Sequence, residues 1–124
     1  MNMNESELIE IVVGASYEVS NTLGCGFLEK VYERALVREL TTRGLAVKSQ
    51  VSYAVTYKGY GVGEYFADII VEDQLVVELK CAEEFSKQHL AQCLNYLKVS
   101  GLRTALLVNF QNPKIVWRKI VSRF

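Results

Sequence analysis

Between Leu8 and Leu23 the apolar residues Leu8, Ile11, Val12, Ala15, Val19 and Leu23 recur every three or four positions. That spacing predicts an amphipathic helix. Asn4 or Ser6 is its expected cap, and Glu5, Glu7 and Glu10 lie toward the positive end of its dipole. Gly24-Cys25-Gly26 breaks the chain. Leu28, Val31, Ala35, Leu36 and Leu40 then predict a second helix over Leu28–Thr42, with Gly44 as the glycine that ends it. The period next changes to two. Lys48–Tyr57 alternates and is rich in Val and Tyr, which predicts a strand. Lys58-Gly59-Tyr60-Gly61 reads as a turn, Glu64–Val71 as a second strand, Glu72-Asp73-Gln74 as a tight connection and Leu75–Cys81 as a third strand. A helix is expected over Glu83–Ser100, ended by Gly101. Thr104–Phe110 is almost wholly apolar and predicts a central strand. After a turn at Asn112-Pro113, Ile115–Val121 is the last strand. The order ααβββαββ predicts an α/β sandwich, a mixed central β-sheet flanked by helices.

With 124 residues, 50% hydrophobic and 23% charged, the chain reads as a single domain over 1–124 with a real core, and disorder is excluded as its main state. No apolar run reaches the roughly 20 residues of a membrane span. The first ten residues carry three acids and no base, unlike a secretory signal, so a cytoplasmic location is expected. Cys25, Cys81 and Cys93 form no CxxC pair, and each reads as a small buried apolar residue in a reducing compartment. The single histidine, His89, excludes a multi-histidine metal site.

The chemistry gathers in the second and third strands. Alternation predicts that Glu64, Phe66, Asp68 and Ile70 share one face, and that Val76, Glu78 and Lys80 share one face of the next strand. A three-residue connection pairs Val71 with Leu75 and sets Asp68 opposite Glu78. Two carboxylates and an ammonium are then crowded among apolar residues. Like charges so placed are costly unless something offsets them, and a hard divalent cation with oxygen ligands does so. In the following helix His89, Gln92 and Tyr96 are spaced as one polar stripe able to position phosphate oxygens or a water, with Leu90, Cys93, Leu94 and Leu97 facing elsewhere. Glu29 falls in the first turn of the second helix, where the dipole also favours a carboxylate.

Three segments carry a family likeness. Gly26-Phe27-Leu28-Glu29-Lys30-Val31-Tyr32 matches a GxxExxY signature. Asp68 with Glu78-Leu79-Lys80 resembles the acidic core of the PD-(D/E)XK nucleases, and Gln92–Tyr96 resembles the QxxxY motif of their exonuclease-type branch. From about residue 6 onward the chain resembles the small GxxExxY family of that superfamily, with Ala67 where the superfamily name has proline. The resemblance implies a restriction-endonuclease-like fold and a metal-dependent nuclease, expected to act on DNA and to leave 5′-phosphate and 3′-hydroxyl ends. It implies that Asp68 and Glu78 ligate Mg²⁺ or Mn²⁺, with the Leu79 carbonyl as a further ligand. Lys80 would orient the attacking water, and Glu29 would complete the acidic cluster directly or through a metal-bound water. Gln92, Tyr96, His89 and Tyr32 would position the nucleic acid. Two other readings stay open: a non-catalytic nucleic-acid- or protein-binding module on the same scaffold, and a nuclease active only within a larger nuclease or repair assembly. A homodimer is expected because so short a chain offers little surface to hold a duplex.

Lysine plus arginine equals aspartate plus glutamate, 14 against 14, which alone speaks against bulk-charge binding of nucleic acid. The distribution changes that. From Glu64 to Glu84 there are seven acids and one base; from Lys98 to Phe124 there are six bases and no acid. An acidic stretch suits metal capture, and a basic C-terminal edge is expected to meet phosphates.

Overall fold

The computed structural model describes residues 3–122. Helix α1 spans Glu5–Leu23, and the Asn4 side chain caps it by accepting the Glu7 N–H at 2.8 Å. Helix α2 spans Glu29–Thr42. Helix α3 spans Lys87–Ser100, starting later than Glu83. The reason is local: Ser86 accepts the His89 N–H, and His89 Nδ1 accepts the Ser86 N–H, a reciprocal cap that Glu83 and Glu84 cannot supply. Gly101 ends α3 with φ 76°, a left-handed value that costs a glycine little.

Five strands follow the expected order: β1 Val47–Tyr57, β2 Tyr60–Val71, β3 Leu75–Lys80, β4 Thr104–Asn109 and β5 Val116–Val121. They form one sheet ordered β1-β2-β3-β4-β5, antiparallel except for the parallel pair β3 and β4. Every residue of β4 is buried, as its apolar run requires of an interior strand. The β1–β2 hairpin is longer than expected, with a turn of only Lys58-Gly59 at φ 49° and 87°. Two left-handed turn residues match the twist of the strands they join. On one face of the sheet α1 and α2 pack over Ile69, Val71, Leu75, Val77, Leu79, Leu106 and Val108. On the other, Cys93, Tyr96 and Leu97 of α3 pack over Ile70, Val76, Ala105, Leu107 and Ile120. Of the three cysteines expected inside only Cys93 is buried; Cys25, in the glycine-flanked loop before α2, is exposed, and Cys81 is half-buried. Among the described residues no helix is long and apolar enough to cross a membrane.

One expectation about the sheet is corrected. Glu64, Phe66, Asp68 and Ile70 do not share a face. Ile69 and Val71 pack toward α1 and α2, yet Ala67 and Tyr65 pack toward α3 with Ile70, while Phe66 is exposed. Alternation therefore slips at Asp68. It slips in the neighbouring strand too, since Val47 packs toward α1 and α2 but Val51 and Tyr53 toward α3. Gln50 has φ 51°, and Gln50–Asp68 is the pair missing between Ser49↔Ile69 and Val51↔Ala67. A left-handed residue in a strand rotates the pleat, so both strands change face at one point.

The two clusters share β3 and β4, so the sheet interior carries the stability of both layers. Leu106→Ala, at a fully buried position in β4, is expected to cost about 3 kcal/mol in denaturant unfolding with an unchanged slope. Val116→Ala on the edge strand, where the side chain is half exposed, is expected to cost under ~1 kcal/mol in the same measurement.

Candidate active site

The expected register of β2 and β3 is present, with Val71 paired to Leu75 across three connecting residues. The ladder nevertheless stops one pair short of Asp68 and Glu78, at Ile69↔Val77. Beyond that point β2 pairs only with β1, and β3 only with β4. Side chains take over where the main chains part. The Leu79 N–H donates to Asp68 Oδ2 at 2.8 Å, and the Asp68 N–H reaches Glu78 Oε1 at 3.4 Å. Each carboxylate thus satisfies a backbone donor that the open ladder would strand.

The fork concentrates charge. Burial pushes the Glu78 carboxyl up to about 9, and the neighbouring Asp68 charge and a hydrogen bond between the two carboxyls push the same way. The Asp68 N–H and, to a smaller extent, Lys80 oppose the rise but do not cancel it, and Lys80 makes no salt bridge among the described residues. These charges extend to α3, where burial first, then Glu78, drives the Cys93 thiol up to about 12. The donor set is all oxygen: two carboxylates and the adjacent Leu79 carbonyl, a set that fits a hard divalent cation rather than a soft one. Among the described residues no three His, Cys, Asp or Glu side chains converge as a ready metal cluster, so a cation here would draw the rest of its shell from main-chain oxygen and water.

Glu29 stands beside this pair rather than in it. Its Oε2 accepts the Cys81 N–H at 3.2 Å, just past the end of β3. The loop that aims it is built by Tyr32. The Tyr32 hydroxyl donates to the Gly24 carbonyl at 2.6 Å and accepts the Phe27 N–H at 3.2 Å, while the ring stacks on Phe110 at 4.8 Å. Gly26 holds φ 108° in that loop, a backbone that other residues rarely adopt. In the signature, then, Gly26 and Tyr32 shape the loop and Glu29 is what it presents; Tyr32 itself is buried and does not face a ligand. Glu29 and Asp68 line one cleft of about 710 Å³, with the exposed Phe27 and Leu28 at its rim.

The expected polar stripe of α3 is corrected. Tyr96 lies inward with Cys93 and Leu97, and its hydroxyl donates to the Val51 carbonyl at 3.2 Å. Its neighbours in the helical phase are apolar, and a strand carbonyl satisfies the hydroxyl, so burial costs little. His89 is occupied in the helix cap. Gln92 alone of the three is exposed and without a side-chain partner among the described residues.

Sequence reasoning missed three supporting residues. Glu33, buried one turn beyond Glu29, accepts from Gln50 Nε2 at 2.9 Å, and that amide also lies 3.5 Å from Asp68 Oδ1. The four-residue spacing of Glu29 and Glu33 was the available signal; nothing in the residue types announces the left-handed Gln50. Asn109, the last residue of β4, bonds both the N–H and the carbonyl of Ala82, fixing the chain just after Lys80 and Cys81. The expected basic C-terminal edge is dispersed. Lys98 and Arg103 lie at the end of α3 and the start of β4, opposite the end where Gln111 lines the cleft; Lys114 falls in the β4–β5 connection, at the Gln111 end; Arg118 and Lys119 lie on the far edge strand, Lys119 beside Glu5. Arg123 lies outside the described residues.

Because the folded Glu78 carboxyl titrates near 9 against 4.5 in the unfolded chain, its neutral form stabilises the metal-free protein fully at acid pH, and that contribution is lost as pH rises toward 9. Glu78→Gln, which stays neutral, is therefore expected to melt at the same temperature as the wild type near pH 4.5. At pH 9 in EDTA it should melt about 5 °C or more above it. A difference that does not change with pH would contradict this reading of Glu78.

Three solved structures are similar to this fold. The crystal structure of SSO0001 superposes with a TM-score of 0.61 at 20% identity, over 97% of this chain and 60% of that one. The chain thus spans under two thirds of that protein. An alkaline exonuclease from Laribacter hongkongensis, LHK-Exo, gives 0.55 at 14% identity over 98% of this chain and 72% of its own. Its complex with dAMP gives 0.51 at 12% identity, over 92% and 82%. No curated protein matches the sequence significantly. At such identities the structures establish a shared fold, and the sequence supplies the kinship: residues 6–121 match the family model of the PD-(D/E)XK nuclease superfamily, and the chain belongs to that superfamily.

Proposed function

We propose that this chain hydrolyses phosphodiester bonds of nucleic acid, DNA in the first place, with Mg²⁺ or Mn²⁺ held by Asp68, Glu78 and the Leu79 carbonyl. The observation that carries the reading is the fork itself. A sheet is opened at one pair, two carboxylates are placed in the opening, and one of them is left so poorly compensated that its carboxyl is pushed up to about 9. Such an arrangement is costly as a structural device and useful as a cation site.

A divalent cation bound there would lower the pKa of a water and neutralise phosphate oxygens. The chain's own residues supply the rest. Lys80, at the end of β3 on the α3 side of the fork, is placed to hold the attacking water and to stabilise charge developing on the phosphate. Glu29, held by the Cys81 N–H and lining one cleft with Asp68, provides a carboxylate for a metal-bound water. Gln92, exposed on α3 with its amide free of side-chain partners among the described residues, would offer a donor to a phosphate oxygen. Tyr96, His89 and Tyr32 act as positioning residues, Tyr96 and His89 for α3 and Tyr32 for the Glu29 loop. Gly26, Glu29 and Tyr32 also support placing the chain in the GxxExxY branch of its superfamily. The remaining surface for a duplex would come from a second copy of the chain.

The test is cleavage of labelled single-stranded, nicked and duplex DNA, and of RNA, with Mg²⁺ or Mn²⁺. Asp68→Ala and Lys80→Ala are expected to slow cleavage at least ~100-fold, with unchanged circular dichroism, and EDTA to stop it. Wild-type protein that cleaves none of these substrates with either metal would overturn the proposal.

A further inference from the structure

Helix α2 carries a second feature outside the acidic site. Lys30, Arg34 and Arg38 follow one another at four-residue intervals, and all three are exposed. That spacing sets them along one side of the helix, with a rise of about 6 Å from each to the next. The helix's acids are otherwise engaged. Glu33 is bonded to Lys30 at 3.4 Å and to Gln50, and Glu39 is paired with Arg43 at 2.7 Å. Arg34 and Arg38 make no ion pair among the described residues. Their charge is therefore available to a partner.

Their position is informative as well. A groove of about 300 Å³ runs between α2 and β1, lined by Lys30, Arg34, Val37 and Ser49, and it shares Lys30, Glu33 and Gln50 with the cleft that holds Asp68 and Glu29. The groove is thus continuous with the acidic site, whereas Arg103, Arg118 and Lys119 lie at the opposite end or edge of the sheet. From this we infer that Lys30, Arg34 and Arg38 form a phosphate track, along which one strand of the nucleic-acid substrate leaves the site. The inference rests on the nuclease reading above and adds where the substrate lies. The occupant is chosen by charge and spacing. A row of cations 6 Å apart meets about every second phosphate of a strand whose charges rise about 3.4 Å each. A cation held at the fork would neutralise only the phosphate at the site, and a row of cations beside it meets the charge of the phosphates that follow.

The test uses the Lys80→Ala protein, which is expected to bind without cutting, and a short labelled single-stranded DNA in Mg²⁺. Arg34→Ala with Arg38→Ala is expected to weaken binding at least ~10-fold at low salt and to reduce the slope of log affinity against log salt by about 1.5. Arg34→Lys with Arg38→Lys should restore most of both, as a point-charge contact to phosphate allows. Lys98→Ala with Arg103→Ala, at the other end of the sheet, should leave both nearly unchanged. With Lys80 intact, the Arg34 and Arg38 double alanine variant should lose cleavage mainly through a raised KM. If Lys80→Ala protein binds DNA but the double alanine variant keeps its affinity and salt slope, the track is overturned while the nuclease reading stands. If Lys98 and Arg103 carry the binding instead, the track is likewise overturned. If the wild type neither binds nor cleaves, both fall together.

Discussion

One hydrogen bond organises the functional end of this molecule. The Leu79 N–H donates to Asp68 Oδ2, where an unbroken sheet would have paired main chain with main chain. With that exchange β2 leaves β3, and β3 keeps only β4 as a neighbour for its last three residues. A strand end freed on one side can carry charge without burying it completely. Glu78 and Lys80 occupy that end, on a strand whose remaining residues are fully buried. The opening also lies at the carboxyl ends of the parallel pair β3 and β4, where α/β sheets leave room for ligands.

Everything around the fork supports it. The left-handed Gln50 rotates β1 away at the same level as Asp68, so the first hairpin turns with the opening rather than closing it. Asn109 grips Ala82 by both its main-chain groups, so the chain leaving Lys80 has one path. Tyr32 ties the loop before α2 through Gly24 and Phe27, and that loop sets Glu29 on the Cys81 N–H. The buried aromatic and amide groups thus do their work through geometry, leaving Glu29 and Asp68 to line the cleft. This division explains why Tyr32 and Tyr96, polar residues within recognisable motifs, are both almost wholly buried.

Much of this was readable in the sequence, for physical reasons that also mark where reading stopped. The element order, the Asn4 cap, the interior position of β4 and the three-residue link between β2 and β3 follow from apolar period and turn chemistry, which are local. The face on which Asp68 stands was misread because strict alternation assumes an unbroken pleat, and Gln50 breaks it with a backbone angle that its side chain does not advertise. Tyr96 was misread because its hydroxyl finds a partner, the Val51 carbonyl, far away in sequence and on another element. Helix α3 begins at Lys87 because Ser86 is a better cap than the acids before it, a competition between neighbours that period alone does not resolve. Local signals set the candidate residues on their elements; long-range hydrogen bonds decided which side chains meet.

We propose the fork between β2 and β3 as a cation site. Paramagnetic broadening of backbone amide signals during a Mn²⁺ titration tests it most directly, because the effect falls steeply with distance from the ion. The amides of Asp68, Glu78, Leu79 and Lys80 are expected to broaden first, saturably, and Asp68→Asn to remove the effect while the rest of the spectrum is kept. Broadening centred on another part of the chain, or spread evenly over exposed carboxylates and unchanged in Asp68→Asn, would contradict it.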